Sequence, residues 1–584
     1  MNYIEPTIKD SEIINSDSIM PQRNPYIIGR PITEPEKFFG RESLFHFLED
    51  NLREGTKVLL LHGQRRIGKS SVLFHIPNFV VEDGFHFVAF DLQDKGQLSL
   101  SEILHELATE ISDDLDLDVT QVTVPTVAEL EADTNILSRE FLPAVSQVLD
   151  EENLVLLLDE FDVLSNHNPT AADGDFFPYL KSLVSEQDQL YIIPVIGRQL
   201  DDLPKLLELF KGAPNHEIGL LNNESTKRLI ANPAQGVLRY DDEAIQAIME
   251  LSAGHPYFTQ VICFAVFGQA REQENWQVTR ADVEKVVEPA IEIAEGGLAW
   301  FWDGLPIPEQ VIFSAVAEAQ RIAINQDERV PEQPLKLLKG YGVILTEQLE
   351  QALKRLIKNG FLNDSGLKVT VELVRRWLLK RYPLQQEILA LESLDSLAND
   401  LYKIAVEQSK REEKLDALKN YEQILKYNPN HFSTVFELAE GYLSDQNFAK
   451  AVEYYTRAYQ VDSILHKERL VQSLLSYGNE LWSKQQPANL NRARKQFTRV
   501  IQIEPENQIA REKLREIKDF ESKKYSKIWF ARFIAAIIVG IPLLVAFGYY
   551  LGYSHCSKDL KKRDGIGCRS ILQNKCTKIV PSRH

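Results

Sequence analysis

The spacing of apolar and polar positions changes several times along the chain. From about residue 37 to 222, short apolar runs alternate with stretches of helical pattern. The apolar runs are Val58–His62, Phe85–Leu92, Leu154–Leu158, Tyr191–Ile196 and His216–Leu221. Runs this apolar are typical of parallel strands that are covered on both faces of a sheet. The pattern therefore predicts an α/β domain with a parallel sheet over residues 37–222.

Polar and helical segments lie on either side of this domain. Residues 1–36 are polar and punctuated by proline, which predicts a flexible leader. Residues 223–299 have a helical pattern, with one helix over Glu224–Ile230, a break at Asn232–Pro233 and a restart at Asp241. We therefore predict a helical subdomain directly after the sheet.

Residues 300–390 combine helices with a short hairpin. Helical periodicity covers Ile307–Ala319, Pro334–Tyr341 and Thr346–Lys358. A small hairpin is predicted between Gly360 and Val371, followed by a helix over Leu373–Arg381. Three helices followed by a hairpin predict a winged-helix-like unit.

Between residues 395 and 517 the same set of residue types returns at intervals of 34 and then 42 positions. The three copies are Ala417, Tyr421, Ile424, Pro429; Ala451, Tyr455, Ala458, Ser463; and Ala493, Phe497, Val500, Pro505. A helical-hairpin unit of 34 residues resembles the tetratricopeptide repeat. The longer second interval predicts about one extra helical turn near Gln485–Asn491. Any other array of amphipathic hairpins is the alternative, but the constant internal offsets favour the tetratricopeptide interpretation.

A long uncharged segment lies near the C-terminus. The 22 residues Phe533–Ser554 contain no charge, and a transmembrane helix needs about 20 apolar residues. Trp529, Tyr549 and Tyr550 lie at its ends, as aromatic residues do at membrane interfaces. We therefore predict a transmembrane helix within residues 528–554 and a basic, cysteine-containing tail over 555–584. A buried helix of a soluble domain is the alternative.

Charge and cysteine content restrict the partners and the compartment. The net charge is −20, which argues against broad contact with nucleic acid. From residue 518 onward there are 13 Lys/Arg and 4 Asp/Glu, so the basic end points to a membrane or a polyanion. Cys263 is the only cysteine before the tail, which fits a reducing compartment. Because the N-terminus has no signal-peptide pattern, we expect the body of the chain to be cytoplasmic.

One motif carries the strongest chemical signal. The sequence G-x-x-x-x-G-K-[ST] is formed by Gly63, Gln64, Arg65, Arg66, Ile67, Gly68, Lys69 and Ser70, and Ser71 follows it. It lies between a predicted strand and a predicted helix, as a phosphate-binding loop does. Backbone N–H groups there hold phosphate oxygens, Lys69 reaches the outer phosphates and Ser70 binds Mg²⁺. The expected ligands are therefore ATP and Mg²⁺.

Two further strand ends carry candidate catalytic groups. Asp159 and Glu160 follow the strand Leu154–Leu158, at the edge where ligands bind in open α/β sheets. We predict that Asp159 helps to hold Mg²⁺ and that Glu160 polarises the attacking water. Arg198 follows the strand ending at Ile196, where a guanidinium could contact the γ-phosphate. A surface arginine paired with a carboxylate is the alternative for Arg198.

Together these motifs resemble the signal-transducing ATPases with numerous domains (STAND), which are relatives of the AAA+ and archaeal origin-recognition ATPases. The resemblance covers residues 37–380 and includes the segments GQRRIGKSS, LLLDEFD and the strand that ends in GR. Phe39-Gly40-Arg41-Glu42 is similar to the element that opens this module, which implies that Gly40 and Arg41 lie near the nucleotide. Gly254-His255-Pro256 is similar to a family turn whose proline packs near the base.

The resemblance implies an ATPase that acts as a slow switch. In this family, ATP and ADP favour different arrangements of the domains, and ATP permits assembly, so a homo-oligomer is a further expectation. The repeats would bind a protein partner, and the predicted span would tether the chain to a membrane. Two alternatives remain: a DNA-binding ATPase that uses the basic winged-helix-like unit, and a membrane scaffold in which the nucleotide is structural.

Overall fold

The computed structural model describes residues 23–80, 83–165, 176–197 and 211–559. Within these residues the chain forms two compact units. Unit 1 comprises the residues up to 404 together with 423–432, and unit 2 comprises 405–422 together with the residues from 433 onward.

Unit 1 is built on a five-stranded sheet in which every neighbouring pair of strands is parallel. The strands are β1 (Leu60–His62), β2 (Phe85–Asp91), β3 (Asn153–Asp159), β4 (Leu190–Ile196) and β5 (Asn215–Glu217). Their spatial order is β2–β3–β4–β1–β5, so the first strand of the sequence lies inside the sheet. Leu61 of β1 is paired with Val195 on one side and His216 on the other. The prediction of a parallel sheet is confirmed.

Helices cover both faces of this sheet. They are α1 (Glu42–Arg53), α2 (Lys69–Phe79), α3 (Leu100–Asp114), α4 (Val127–Ala132), α5 (Leu142–Val148) and α6 (Phe176–Glu186). Side chains of β3 alternate between two cores, with Leu156 packed in the core that contains α3 and Leu157 in the core that contains α1 and α2. Because both faces of β3 and β4 are buried, these two strands are continuous apolar runs in the sequence.

Helices also form the part of unit 1 that follows the sheet. They are α7 (Asn223–Ala231), α8 (Asp242–Ser252), α9 (Pro256–Glu272), α10 (Arg280–Lys285) and α11 (Val287–Asp303). Asn222 and Asp241 cap α7 and α8, since each side chain accepts a hydrogen bond from a backbone N–H of the first turn. The structure adds a parallel pair, β6 (Arg239–Tyr240) and β7 (Gln277–Val278), which is too short to have a periodic sequence signal.

Residues 300–390 form a second helical group of unit 1. The helices are α12 (Ile307–Asn325), α13 (Pro334–Gly340), α14 (Glu347–Lys358), α15 (Glu372–Arg381) and α16 (Leu384–Ala390). Between α14 and α15, Leu362 and Val369 form a single antiparallel bridge. The predicted hairpin is therefore very short. Its turn is closed by the Asn363 side chain, which accepts from the N–H groups of Leu367 and Lys368.

The segment before the sheet corrects one prediction. Residues 23–32, which we call the N-terminal strap, pack along the helices of unit 1. The Asn24 side chain donates to the Phe264 carbonyl at 2.9 Å, and the Ile27 N–H donates to Gln260 Oε1 at 3.2 Å. Tyr26 is buried and donates to the Ile230 carbonyl. The prediction of a flexible leader is wrong for residues 23–36, because these long-range contacts have no local sequence signal; residues 1–22 lie outside the described residues.

The C-terminal part of the chain is helical throughout its described length. The helices are α17 (Ser396–Lys410), α18 (Lys414–Tyr427), α19 (Phe432–Ser444), α20 (Phe448–Val461), α21 (Lys467–Ser483), α22 (Pro487–Ile503) and α23 (Gln508–Asp559). Ala451, Ala493 and Phe497 are fully buried where the helices of unit 2 meet. Helices α21 and α22 have 17 residues each, against 13 and 14 in the preceding pair, so the added length lies within helices.

Helix α23 is a single helix of 52 residues. Its segment Trp529–Gly548 has a mean hydropathy of 2.4 and is not buried within the structure. By length and composition this segment can cross a membrane. Only residues 555–559 of the predicted tail lie within the described part of the chain.

Candidate nucleotide-binding site

The predicted phosphate loop joins β1 to the first turn of α2. Gly68 has φ +98°, a conformation that favours glycine, and α2 begins at the next residue, Lys69. The Gly63 N–H donates to the Ile196 carbonyl at 3.2 Å and so ties the start of the loop to the end of β4. The backbone therefore has the strand–loop–helix form in which N–H groups at a helix N-terminus face an anion.

Lys69 is buried but weakly paired. Its side chain is 5% exposed, and its Nζ lies 3.5 Å from the Gln64 carbonyl oxygen and 3.8 Å from Glu160 Oε1. Both distances are long for bonds made by an ammonium group, which normally lie near 2.7–2.9 Å. A buried ammonium with such weak partners is suited to a further anionic ligand, such as a phosphate oxygen.

Ser70 and Asp159 meet where α2 faces the end of β3. Ser70 Oγ donates to Asp159 Oδ2 at 2.6 Å, and the backbone N–H of Glu160 donates to Asp159 Oδ1 at 2.9 Å. Burial raises the pKa of Asp159, an effect that these hydrogen bonds partly oppose. A hydroxyl and a carboxylate side by side are oxygen ligands of the kind that Mg²⁺ prefers.

Glu160 extends from the end of β3 toward Lys69. Burial raises the pKa of its carboxyl group, and the Lys69 charge opposes this change. The neighbouring Asp162 accepts a hydrogen bond from the Gly197 N–H at 2.9 Å, which holds the end of β4 beside the acidic segment. Arg198, the next residue, lies outside the described residues.

These residues fit a magnesium–nucleotide ligand. Among the described residues, no group of three or more acidic, histidine or cysteine side chains is placed to hold a metal ion. Mg²⁺ bound by Ser70 and Asp159 would therefore take its other ligands from phosphate and water, as is usual at nucleotide sites. The ion would supply neutralisation of phosphate charge there.

A cavity of about 740 Å³ opens in front of the loop. Its walls include Arg65, Arg66, Ile67, Gly68, Lys69, Ser70, Ser71, Glu160, Arg41 and Pro256 from the predicted set. Four predicted residues, Gly40, Gly63, Gln64 and Asp159, do not line the cavity, and Gly40 packs against the Ser225 side chain. The structure thus brings most of the predicted residues to one cavity.

The cavity wall also contains residues that the sequence motifs did not identify as site residues. The N-terminal strap lines it through Ile27, Gly29 and Ile32, and the Ile32 N–H donates to Ser71 Oγ at 2.9 Å. His255 also lines the cavity. The only sequence signal for His255 is its place in the Gly254–Pro256 turn, and the strap has no motif.

The Arg41 guanidinium is bonded to backbone carbonyl groups and not to a carboxylate. Its guanidinium donates to the carbonyl oxygens of Gly219, at 2.7 Å, and Ile67, at 3.0 Å. Burial lowers the pKa of Arg41 to about 10. Arg41 therefore supports the phosphate loop through the Ile67 carbonyl and adds positive charge to the cavity wall.

Three non-glycine residues around the cavity have a left-handed backbone. The φ angles of Arg41, Arg66 and Glu160 are 77°, 60° and 48°. Such conformations cost about 1–3 kcal/mol each and cluster at functional sites. Nine other non-glycine residues of the described chain also have positive φ, so these three are consistent with a functional role of the cavity without establishing it.

The phosphate loop also touches the later helices of unit 1. Gln64 Nε2 donates to the carbonyl oxygen of Asn359, which follows α14. The Arg66 guanidinium lies over the Tyr257 ring at 4.6 Å from its centroid. Two side chains of the loop are therefore fixed by parts of the chain about 190 and 295 residues away.

Comparisons with known proteins agree with the geometry of the sheet and loop. A protein-family model described as an AAA domain matches residues 52–203. No curated protein sequence matches the chain significantly.

Several solved structures match the chain over most of their own length. The Walker-type ATPase of Pyrococcus abyssi matches with a TM-score of 0.46 and 18% identity, over 60% of this chain and 98% of that one. Drosophila ORC bound to DNA matches with a TM-score of 0.34 and 13% identity, over 65% and 96% of the two chains. The Thermotoga maritima RuvB Holliday junction branch migration motor matches with a TM-score of 0.31 and 15% identity, over 56% and 97%. Residues 52–203 therefore match the model of an AAA domain, and a mostly helical C-terminal region follows them.

Proposed function

We propose that the chain is an ATP-binding switch that hydrolyses ATP slowly and passes its nucleotide state to its C-terminal region. The observation that carries this proposal is the hydrogen bond from Gln64 of the phosphate loop to the Asn359 carbonyl. A change at the loop on binding or hydrolysis would act directly on the loop after α14. Coupling of this kind is typically worth about 1–3 kcal/mol.

The residues of the site have separate roles in this proposal. Lys69 binds the outer phosphates, Ser70 and Asp159 hold Mg²⁺, and Glu160 polarises the attacking water. The position of Glu160, 3.8 Å from Lys69 Nζ, supports that role because the water must lie beside the outer phosphate. Arg198 would contact the γ-phosphate.

Residues 300–390 act as a winged-helix-like clamp in this proposal. The order of three helices, a short antiparallel bridge and a further helix supports the assignment. Helix α15 is held against the preceding helical group by ion pairs, including Arg376 with Glu284 at 2.8 Å. A clamp attached in this way could move as one body when the loop changes.

Residues 395–517 are proposed to be tetratricopeptide repeats that bind a protein partner. The buried Ala451, Tyr455, Ala493 and Phe497 support the assignment, since small and aromatic residues alternate where helices of such repeats meet. The concave surface that such arrays present would bind a peptide or a partner domain.

The segment 528–554 is proposed to tether the chain to a membrane, with the ATPase and repeats in the cytoplasm. The unburied apolar segment Trp529–Gly548 supports this. An arginine at the centre of a spanning helix costs about 2.5–3.5 kcal/mol. The double variant Ile538→Arg/Leu544→Arg should therefore move the protein from the membrane fraction to the soluble fraction. Retention after an alkaline wash would contradict the tether.

Hydrogen exchange of the full chain tests the switch itself. We expect amide exchange in residues 347–371 to differ between the ADP and the ATP state, with Glu160→Gln used to prevent turnover. An identical exchange pattern in the two states, with nucleotide bound in both, would favour the scaffold in which the nucleotide is structural.

A DNA-binding ATPase is the second candidate, and the ion pairs weigh against it. At least six basic side chains of residues 300–390 are paired with carboxylates. The pairs are Lys336–Glu332, Arg355–Glu309, Arg375–Glu372, Arg376–Glu284, Lys380–Glu288 and Arg381–Glu295. Paired charges give up fewer counterions on binding DNA. A salt-sensitive gel shift by the full chain at low ionic strength would restore this candidate.

A further inference from the structure

The positive charge of unit 2 is concentrated in its last helices. Residues 484–499 contain five Lys/Arg and no Asp/Glu, and residues 518–532 contain five Lys/Arg and two Asp/Glu. Residues 433–483, which cover nearly all of α19 to α21, contain four Lys/Arg and seven Asp/Glu. We call residues 484–499 and 518–532 together the basic end. So localised a surplus of positive charge favours an anionic partner at this surface.

Tertiary contacts bring the two segments of the basic end together. The Arg494 guanidinium of α22 donates to the Glu521 carboxylate of α23. The Trp482 ring of α21 meets the Phe520 ring edge-on, with 5.7 Å between the centroids. The basic part of α22 therefore lies beside the part of α23 that directly precedes the apolar segment Trp529–Gly548.

Several cations of the basic end are not neutralised within the chain. Farther from the apolar segment, Arg511 of α23 is paired with Glu506 at 2.9 Å. Lys495, Lys518 and Lys523 are exposed instead, and none of them has a carboxylate partner among the described residues. Their ammonium groups are therefore available to an anion outside the chain.

Helix α23 fixes the distance between the basic end and the apolar segment. From Gln508 to Arg532 the helix contains no glycine or proline, so nothing in its sequence favours a hinge there. Glu521 precedes Trp529 by eight residues, which is about 12 Å at 1.5 Å per residue. A lipid headgroup layer is about 5–7 Å deep, and the Debye length in physiological salt is about 8 Å. With Trp529 at the edge of the hydrocarbon core, the basic end would therefore lie within reach of headgroup charge.

We propose that the basic end binds the headgroups of anionic phospholipids, so that unit 2 rests on the membrane surface. Each basic side chain near an anionic leaflet typically strengthens binding about fivefold. The inference rests on the proposed function, since it assumes that Trp529–Gly548 spans the membrane. It goes beyond a tether, because α22 does not enter the membrane and yet would contact lipid.

Hydrogen exchange of the full chain in two kinds of vesicle tests this inference. One kind is pure phosphatidylcholine, and in the other about 30% of the lipid is phosphatidylserine, which makes the surface anionic. We expect amides of residues 484–495 to exchange about fivefold more slowly on the anionic vesicles, because bound headgroups oppose local opening. At about 1 M salt, where the Debye length falls to about 3 Å, this difference should disappear.

Two double variants assign the effect to the basic end. Lys495→Gln/Lys523→Gln removes one exposed charge from each of its two helices and should abolish the difference between the vesicles. Lys410→Gln/Lys414→Gln is the matched control, since it removes the same charge from exposed positions of α17 and α18, and it should retain the difference. All four positions are exposed, so both variants should fold, and thermal melting checks this.

Three outcomes would overturn the inference and leave the tether intact. Equal exchange on both vesicles, with the full chain retained after an alkaline wash, would show that the basic end does not bind anionic lipid. An undiminished difference in Lys495→Gln/Lys523→Gln would place the contact outside the basic end. Equal protection by homopolymeric RNA added to neutral vesicles would show a general polyanion surface and not a lipid site. Loss of the full chain from both vesicles in the wash would instead refute the tether, and the inference with it.

Discussion

Ser70 Oγ donates a hydrogen bond to Asp159 Oδ2 across 2.6 Å, which joins the last residue of the phosphate loop to the last residue of β3. The two residues are 89 positions apart in the sequence. Parallel pairing of β1 with β4 and of β4 with β3 brings them together, since carboxyl ends of parallel strands lie at one edge of a sheet. Lys69 and Glu160 lie next to this pair, so one contact organises the candidate site.

Removal of the buried ammonium should abolish nucleotide binding. In Lys69→Ala, the cavity loses the one charge of the loop that is buried beside Glu160, and we expect ATP affinity to fall at least about 100-fold. Lys181→Ala, on the exposed face of α6, is the matched control and should bind ATP normally. Retained ATP affinity of Lys69→Ala in calorimetry would defeat the assignment of the phosphate loop.

Neutralising Glu160 should separate binding from turnover. Glu160→Gln keeps the shape of the side chain but cannot accept a proton from water, so phosphate release should fall about 100-fold while ATP still binds. Glu131→Gln, at an exposed position of the same domain, is the control and should leave the rate unchanged. Normal phosphate release by Glu160→Gln in a single-turnover assay would remove Glu160 from the water-activating role.

The contact between the loop and Asn359 can be broken without a change of side-chain size. Gln64→Glu replaces the amide donor by a carboxylate that cannot donate to the Asn359 carbonyl. Loss of one such bond should lower local stability by about 1 kcal/mol, and carboxylate–carbonyl repulsion adds to this. We expect faster amide exchange at residues 356–362 in the variant. Unchanged exchange there would show that the bond does not couple the two segments.

Two glycines of unit 1 should respond to alanine in opposite directions. Gly254→Ala forces alanine into a left-handed backbone and places its Cβ 2.5 Å from the Leu221 carbonyl oxygen, so the free energy of unfolding should fall by about 2 kcal/mol or more. Gly268 lies inside α9, and a Cβ at this position would meet no neighbouring side chain within 4 Å, so Gly268→Ala should raise stability by about 0.5–1 kcal/mol. Denaturant unfolding measures both, and equal effects would contradict the assigned turn geometry.

Two glycines of unit 2 offer a comparable test. A Cβ on Gly478 would lie 2.7 Å from the buried ring of Phe497, whereas a Cβ on Gly441 would meet only the end of the Leu418 side chain. A buried ring cannot move aside, so Gly478→Ala should destabilise unit 2 by about 1–3 kcal/mol, and Gly441→Ala should cost less because Leu418 can change rotamer. Equal melting temperatures of the two variants would argue against close packing of α21 on α22.

The local elements were largely predictable because their signals are local. The buried strands β3 and β4 are apolar over their whole length, and the loop at Gly63–Ser70 is fixed by residue types at set spacings. Asn222 and Asp241 likewise mark the starts of α7 and α8, because both are residue types that cap helices. In each case, neighbours within a few residues determine the backbone.

The N-terminal strap shows where such reasoning fails. Its sequence is polar and rich in proline, which predicts a flexible segment, yet Asn24 and Ile27 are bonded to Phe264 and Gln260. Contacts between residues more than 230 positions apart leave no periodicity in either segment. The strap forms part of the cavity wall because its bonds to α9 hold it there.

Local patterns of residues were enough to establish a parallel α/β domain with a phosphate-binding loop, a helical C-terminal region and an apolar segment long enough to cross a membrane. The assembly of the site around that loop depends instead on the three-dimensional arrangement. That arrangement places Ser70 beside Asp159, Arg41 beside the Ile67 carbonyl, Gln64 beside the Asn359 carbonyl and His255 in the cavity wall. A motif is recognised from the spacing of neighbouring residues. These contacts depend on strand order and helix packing, which cannot be read from local spacing alone.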